Sequence, residues 1–291
     1  MIELKNDFRL IEADPKKFGI HIPIYNHRAT NVWFPTKMER VYNMFANIKP
    51  QYWILKDGQR IGGVVLSANW FGFLFVIPPF NDKDILLRSV LDHVISISDD
   101  AKPIYVSGVY PNDYERYQRL GFQIKSTEKI MIRPTGSFEL DWPEDDITME
   151  APDSSHKEEL IDIYYHVYSQ SPVSSVAEKG RDYYKAVLEN DHLPALKPEY
   201  STLIYDESGQ LSAACIVTIW EELPYIADLM VKDSLKGKGL GRMMVKKAIN
   251  NAHQDYPAIR LAVAPGNRAE NLYHQLGFVG GIPSSTMYLE F

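Results

Sequence analysis

The chain has 291 residues, 45% hydrophobic and 24% charged, which is the balance of a soluble globular protein long enough for two domains. A formal charge of -7 leaves no overall basic footprint for nucleic acid, and the single cysteine, Cys215, excludes an intrachain disulfide or a multi-cysteine zinc site. The N-terminal stretch carries charge throughout and lacks the apolar run of a signal peptide, so the expected compartment is the cytoplasm.

In chain order, the first feature is Ile61 to Phe80, which has no charged residue and is long enough to span a bilayer. Asn69, Gly72 and Pro78-Pro79 divide it into two short runs rich in β-branched and aromatic residues. That pattern predicts a buried β-hairpin turning at Asn69 to Gly72, and no membrane partner. Ile104 to Val109 reads as a strand, Asn112 to Glu115 as a capped helix start, and Tyr117 to Phe122 is the motif YQRLGF. Arg133 to Asp146, with Pro134, Gly136, Pro143 and several acids, reads as a linker, giving expected domains 1–137 and 138–291.

In the second half, Ile147 to Ala151 reads as a strand. Ser155 to Glu158 reads as a capping box opening a helix whose apolar positions are Leu160, Ile161, Tyr164, Val167 and Tyr168. Another helix is expected at Glu178 to Asn190, then strands at Thr202 to Tyr205, Ala213 to Trp220 and Tyr225 to Val231, then a long helix from Leu240 to Ala252. Ile259 to Ala264, Asn267 to Glu270 and the motif YHQLGF at Tyr273 to Phe278 repeat the closing order of the first half. The two motifs share Tyr, Leu, Gly and Phe about half a chain apart, so a duplicated supersecondary unit is expected.

The densest chemical signal is Val231 to Arg242, a strand end, a glycine-rich loop and a helix start. Backbone amides at a helix N-terminus attract anions, and glycines let a phosphate approach without a Cβ in the way. Lys232, Lys236, Lys238 and Arg242 add positive charge in an otherwise acidic protein. A nucleotide-triphosphate loop of the Gly-x-x-x-x-Gly-Lys-Ser/Thr kind is absent. A dinucleotide fingerprint fails at its last glycine, where Arg242 stands, although Asp255 lies where a ribose-binding acid would.

Lys236-Gly237-Lys238-Gly239-Leu240-Gly241 resembles the Arg/Gln-x-x-Gly-x-Gly/Ala signature of the GCN5-related N-acetyltransferases (GNAT), with lysine in the first place. Asn267, Ala269, Leu272-Tyr273 and Gly277-Phe278 are similar to that family's second block, so the resemblance runs over roughly Ile147 to Phe278. It implies an α/β fold whose mixed, twisted sheet splays open to hold acetyl-CoA. The pantetheine would pair with the backbone of Leu229, Met230 and Val231, the pyrophosphate would rest on the amides from Gly237 to Arg242, and Asn267 and Tyr273 would border the same site. With Val76 aligned on Val231, the first half carries Asp82 and Asp84 at the glycine positions. Carboxylates there satisfy the helix start themselves and repel a pyrophosphate, so this half is expected to be a GNAT-like domain that binds no coenzyme A.

Acetylating an amine requires removing its proton, a cost of about 4 to 5 kcal/mol at neutral pH for an alkylamine. The candidate bases are Glu221, Glu222 and Asp228, with Glu222 favoured, and Tyr273 is the candidate acid for the leaving thiolate. Tyr117 at the matching place in the first half shows that the fold alone could require that tyrosine. Cys215 reads as a core residue, no metal-binding histidine spacing is present, and Tyr164-Tyr165 and Tyr183-Tyr184 border the acceptor site if the resemblance holds. The expected activity is transfer of an acetyl group from acetyl-CoA to a primary amine of a small molecule or peptide by direct attack, with a homodimer possible. The alternatives are a non-catalytic acyl-CoA-binding module and a nicotinamide-dependent enzyme.

Overall fold

The computed structural model describes residues 1–25, 50–142, 147–168, 196–220 and 222–291. The helix expected at Glu178 to Asn190, the Tyr183-Tyr184 pair and Glu221 lie outside the described residues. The chain forms two compact units, one of Met1–Lys129 with Gly281–Phe291 and the other of Ile130–Gly280.

Unit 1 contains β1 (Ile2–Glu3), β2 (Phe8–Glu12), α1 (Pro15–Tyr25), β3 (Gln51–Lys56), β4 (Gln59–Ser67), β5 (Trp70–Val76), α2 (Lys83–Ile97), β6 (Ile104–Val109), α3 (Tyr114–Gln118) and most of β7 (Gln123–Pro134). Unit 2 contains β8 (Thr148–Glu150), α4 (Lys157–Tyr168), β9 (Thr202–Tyr205), β10 (Leu211–Trp220), β11 (Leu223–Val231), α5 (Leu240–Ala252), β12 (Ala258–Val263), α6 (Arg268–Gln275) and β13 (Val279–Gly280). The last strand, β14 (Ser284–Leu289), returns to unit 1, where it pairs antiparallel with both β6 and β7.

That return corrects the division expected at 137/138. Met287 is buried in the unit 1 core, and the Ser285 hydroxyl is hydrogen-bonded to Tyr114 and Thr127, each at 2.6 Å. A strand joins whichever sheet offers it unpaired edges and a matching apolar face, and a sequence pattern does not record that choice. The expected linker is corrected too. Arg133 belongs to β7, and Phe138 is clamped by Asn250 of α5 through its main-chain N–H at 2.7 Å and its carbonyl at 2.8 Å.

Each unit packs helices on both faces of its sheet. In unit 1, Val90 of α2 packs in a core with Phe71, Ile104 and Phe122, while Phe18 of α1 packs with Trp53 and Phe75 in a separate cluster. In unit 2, α5 packs Met244, Ala248 and Ile249 against Cys215, Val217 and Ile259, and α4 packs Leu160 and Ile161 against Leu203, Ile216 and Met230. The charge-free segment is a hairpin as expected, but Ser67 pairs with Trp70, so the turn is Ala68-Asn69 and Gly72 sits inside β5. Asn69 takes a positive φ of 57° and its side-chain amide donates to the carbonyls of Asp99 and Lys102.

Two expected caps also change. Asp153 with His156, instead of Ser155 with Glu158, forms the capping box before α4. Asn112 caps nothing, because a 3-10 turn at Pro111–Asp113 precedes α3.

Candidate active site

The repeated motif has a single structural explanation. In unit 2 the Phe278 N–H donates to the Tyr273 carbonyl at 3.0 Å and the Gly277 N–H to His274 at 2.9 Å, with Gly277 at φ 85°. In unit 1 the Phe122 N–H donates to Tyr117 at 3.1 Å and the Gly121 N–H to Gln118 at 2.9 Å, with Gly121 at φ 94°. This is the Schellman helix stop, in which a left-handed glycine ends the helix and the residue after it packs on the third residue from the end. The two ring pairs accordingly meet at 5.7 Å (Tyr117 and Phe122) and 5.9 Å (Tyr273 and Phe278).

Unit 2 opens where its parallel strands part. β11 and β12 are in register only at Tyr225–Arg260 and Ile226–Leu261. Immediately beyond, Ala227 is a bulged residue, because Asp228 pairs with Ile216 of β10 and Ile226 with Val217. The Lys232 N–H donates to the Ser212 carbonyl of β10 at 2.9 Å. Strand alternation therefore turns the main chains of Met230 and Asp228 toward β10 and those of Leu229 and Val231 toward the gap. Met230 is thereby corrected as a backbone partner for a ligand: its polar groups serve the β10 ladder and its side chain is fully buried under α4.

The gap is a cleft of about 880 Å³. Its lining includes Leu229, Val231, Lys236, Gly237, Gly239, Leu240, Gly241, Arg242, Asn267 and Tyr273. Of the site residues proposed from sequence, Met230, Lys238, Glu222 and Asp228 are not among the lining. Glu222 is exposed, with φ 63° in the turn between β10 and β11. Asp228 sits beside the bulge, 9% exposed, and burial, with a smaller contribution from Asp228, raises the Tyr164 pKa to about 12. The cleft also takes His166 and Tyr168 from the end of α4, Ala262 and Ala264 from β12 and its following turn, and Arg268 from the start of α6. None of these was singled out from the sequence. Only Arg268, adjoining the cap residue Asn267, carried any signal.

At the cleft mouth, α5 begins at Gly239 with no side-chain cap, so the amides of its first turn have no intrahelical acceptor. Gly237 and Gly239 have φ of 82° and 88°, and a Cβ on either would meet nothing within 4 Å. The loop is an open cradle of amides edged by cations. Asp233, an acid lining that mouth, is held by Lys236 at 2.5 Å. Such a donor set suits a phosphate or diphosphate. Tyr273, which also lines the cleft, is 6% exposed, and burial, with smaller contributions from Cys215, Asp228 and Tyr225, raises its pKa well above the usual tyrosine value. Cys215 is fully buried and its thiol is pushed up to about 12 by burial.

Residues 170–284 match the family model described as an acetyltransferase (GNAT) domain. Most of that match falls within unit 2. No curated protein matches the chain. Among solved structures, a GCN5-related N-acetyltransferase from Sphaerobacter thermophilus is similar over 99% of this chain and 96% of its own, at 13% identity and a TM-score of 0.69. A tandem GNAT protein from the clavulanic acid biosynthesis pathway is similar over 99% and 98%, at 11% identity and TM-score 0.58. A GNAT-family acetyltransferase from Colwellia psychrerythraea is similar over 97% and 98%, at 14% identity and TM-score 0.56. These likenesses show the GNAT fold, and the family supports acyl transfer as its chemistry. A dinucleotide-binding sheet is doubly wound and parallel, whereas β8 to β11 of unit 2 pair antiparallel, so the nicotinamide alternative loses its scaffold. No described helix is long and apolar enough to cross a membrane.

Proposed function

We propose that unit 2 binds acetyl-CoA in the cleft between β11 and β12 and transfers its acetyl group to a primary amine, and that unit 1 is a GNAT-like domain without a coenzyme site. The observation that carries this reading is one cleft lined both by an uncapped, glycine-cradled helix start and by a buried, protonated tyrosine. The amides from Gly237 to Arg242 would hold the diphosphate, and the main chains of Leu229 and Val231 would pair with the amides of the pantetheine arm. Acetyl-CoA supplies a thioester carbonyl that an amine can attack.

Glu222 or Asp228 would accept the amine proton through water, since neither carboxylate is among the residues that line the cleft. Tyr273 remains protonated at neutral pH and can donate its hydroxyl proton to the departing thiolate. Direct attack is supported by Cys215, which is too buried and too weakly acidic to carry an acyl group. The acceptor would be a small-molecule or peptide amine.

Calorimetric titration of the full chain with acetyl-CoA, followed by thiol-release assays on a panel of amines, tests the reading. One acetyl-CoA per chain and amine-dependent thiol release are expected. No binding would sink it, and binding without turnover on any amine would favour a purely acyl-CoA-binding module.

A further inference from the structure

Each unit ties its short motif helix to the first turn of the long helix before it, and in both the third residue of the motif takes part. In unit 1 that residue is Arg119, which donates to Asp84 at 3.3 Å beside Arg116, bound to the same carboxylate. In unit 2 it is Gln275, whose Oε1 accepts from the Arg242 guanidinium. The cation and its partner have exchanged helices. In unit 1 the positive charge meets a carboxylate. In unit 2 it meets a neutral amide, and Arg242 lines the cleft beside the glycine loop. Among the described residues no carboxylate pairs with Arg242, whereas Lys236 of the same loop is held by Asp233.

We propose that Gln275 is a positioning residue for the phosphate end of the acyl donor, an inference that rests on unit 2 being a coenzyme A site. The amide fixes the planar guanidinium beside the loop and, being uncharged, leaves its full charge to the ligand. A carboxylate at 275 would form the two-pronged pair that arginine favours and spend that charge inside the protein. An apolar side chain of similar length would release Arg242 to many rotamers that a ligand must then order.

The test uses the full chain with Gln275→Glu and Gln275→Met, titrated calorimetrically with CoA and with pantetheine, which has the same thiol arm but no phosphate. Gln275→Glu should raise the Kd for CoA by about tenfold and Gln275→Met by about threefold. Pantetheine affinity should stay unchanged in both, and CoA binding by the Glu variant should depend less steeply on salt. Wild-type CoA affinity in Gln275→Glu would overturn the inference, and so would equal weakening of pantetheine, the mark of a disturbed fold. Absence of CoA binding by the unsubstituted chain would instead overturn the reading of the site, and the inference with it.

Discussion

The two units share a helix stop and differ at a helix start. Tyr117 and Tyr273 are both buried, both pack on the phenylalanine five residues later, and both have pKa values raised chiefly by burial. Their common environment belongs to the Schellman stop, so the tyrosine by itself says little about catalysis. The long helix after the first parallel strand tells the units apart. In unit 1 the Asp82 carboxylate accepts from the Ile85 N–H at 3.3 Å, and Asp84 and Asp113 hold Lys83, Arg116 and Arg119 in an ion-pair network. In unit 2 the same place has left-handed glycines, no side-chain cap and cations at a cleft mouth. A shared fold keeps its packing residues, while ligand chemistry depends on which groups satisfy a few backbone amides.

The strongest way to break this comparison is Gly239→Glu, which gives unit 2 a carboxylate like that of unit 1. CoA affinity should fall by about a hundredfold or more, while circular dichroism shows a folded chain, since forcing a side chain into left-handed φ costs only about 1 to 2 kcal/mol. Unchanged CoA affinity would remove the site from this loop. Next in size is the tyrosine pair: Tyr273→Phe should lower kcat by about ten- to a hundredfold with CoA affinity retained, whereas Tyr117→Phe should leave kcat as it was. Equal rates in the two variants would deny Tyr273 the acid role.

Asp82→Ala and Asp84→Ala in unit 1 should leave the stoichiometry at one CoA per chain, because removing the carboxylates does not create a glycine cradle. A second bound CoA, in these variants or in the unsubstituted chain, would show unit 1 to be a competent site.

The smallest effect concerns the helix starts themselves. α2 of unit 1 begins on a carboxylate, whereas α4 of unit 2 follows the Asp153 and His156 box, with His156 Nε2 3.2 Å from Glu150 and Nδ1 2.9 Å from Asp153. Burial lowers the His156 pKa, but the bond to Glu150 and the Asp153 carboxylate outweigh it, and the net shift is upward. The stabilisation is therefore fully present below the unfolded value of 6.5 and is lost as pH rises through the folded pKa. His156→Ala should lower the thermal midpoint more at about pH 6 than at about pH 8. A midpoint loss independent of pH would assign His156 to packing alone.

Much of this architecture was legible as local pattern. Leu240–Ala252, Thr202–Tyr205 and Ile104–Val109 fold over the residues that their periodicity marked, and the glycine loop before a helix start was visible from composition and spacing alone. These features depend on neighbours a few residues apart, which a sequence displays directly. The bulge at Ala227, which lies between Glu222 and Asp228, left no mark in the sequence, because a bulge is set by register with β10. Met230 looked equivalent to Leu229 and Val231 until strand pairing decided which main chains face the gap.

The sequence by itself determined two matching helix-stop motifs, one loop rich in glycine and lysine, and aspartates at the corresponding place of the other half, because these residues carry their local preferences wherever they fold. Tertiary structure alone decided that the last strand completes unit 1, that β11 and β12 part after Ile226, and that Arg242 leans on Gln275. Each of these is a contact between residues distant in the chain, chosen by whichever sheet edge, face or side chain stands nearest once the cores have closed.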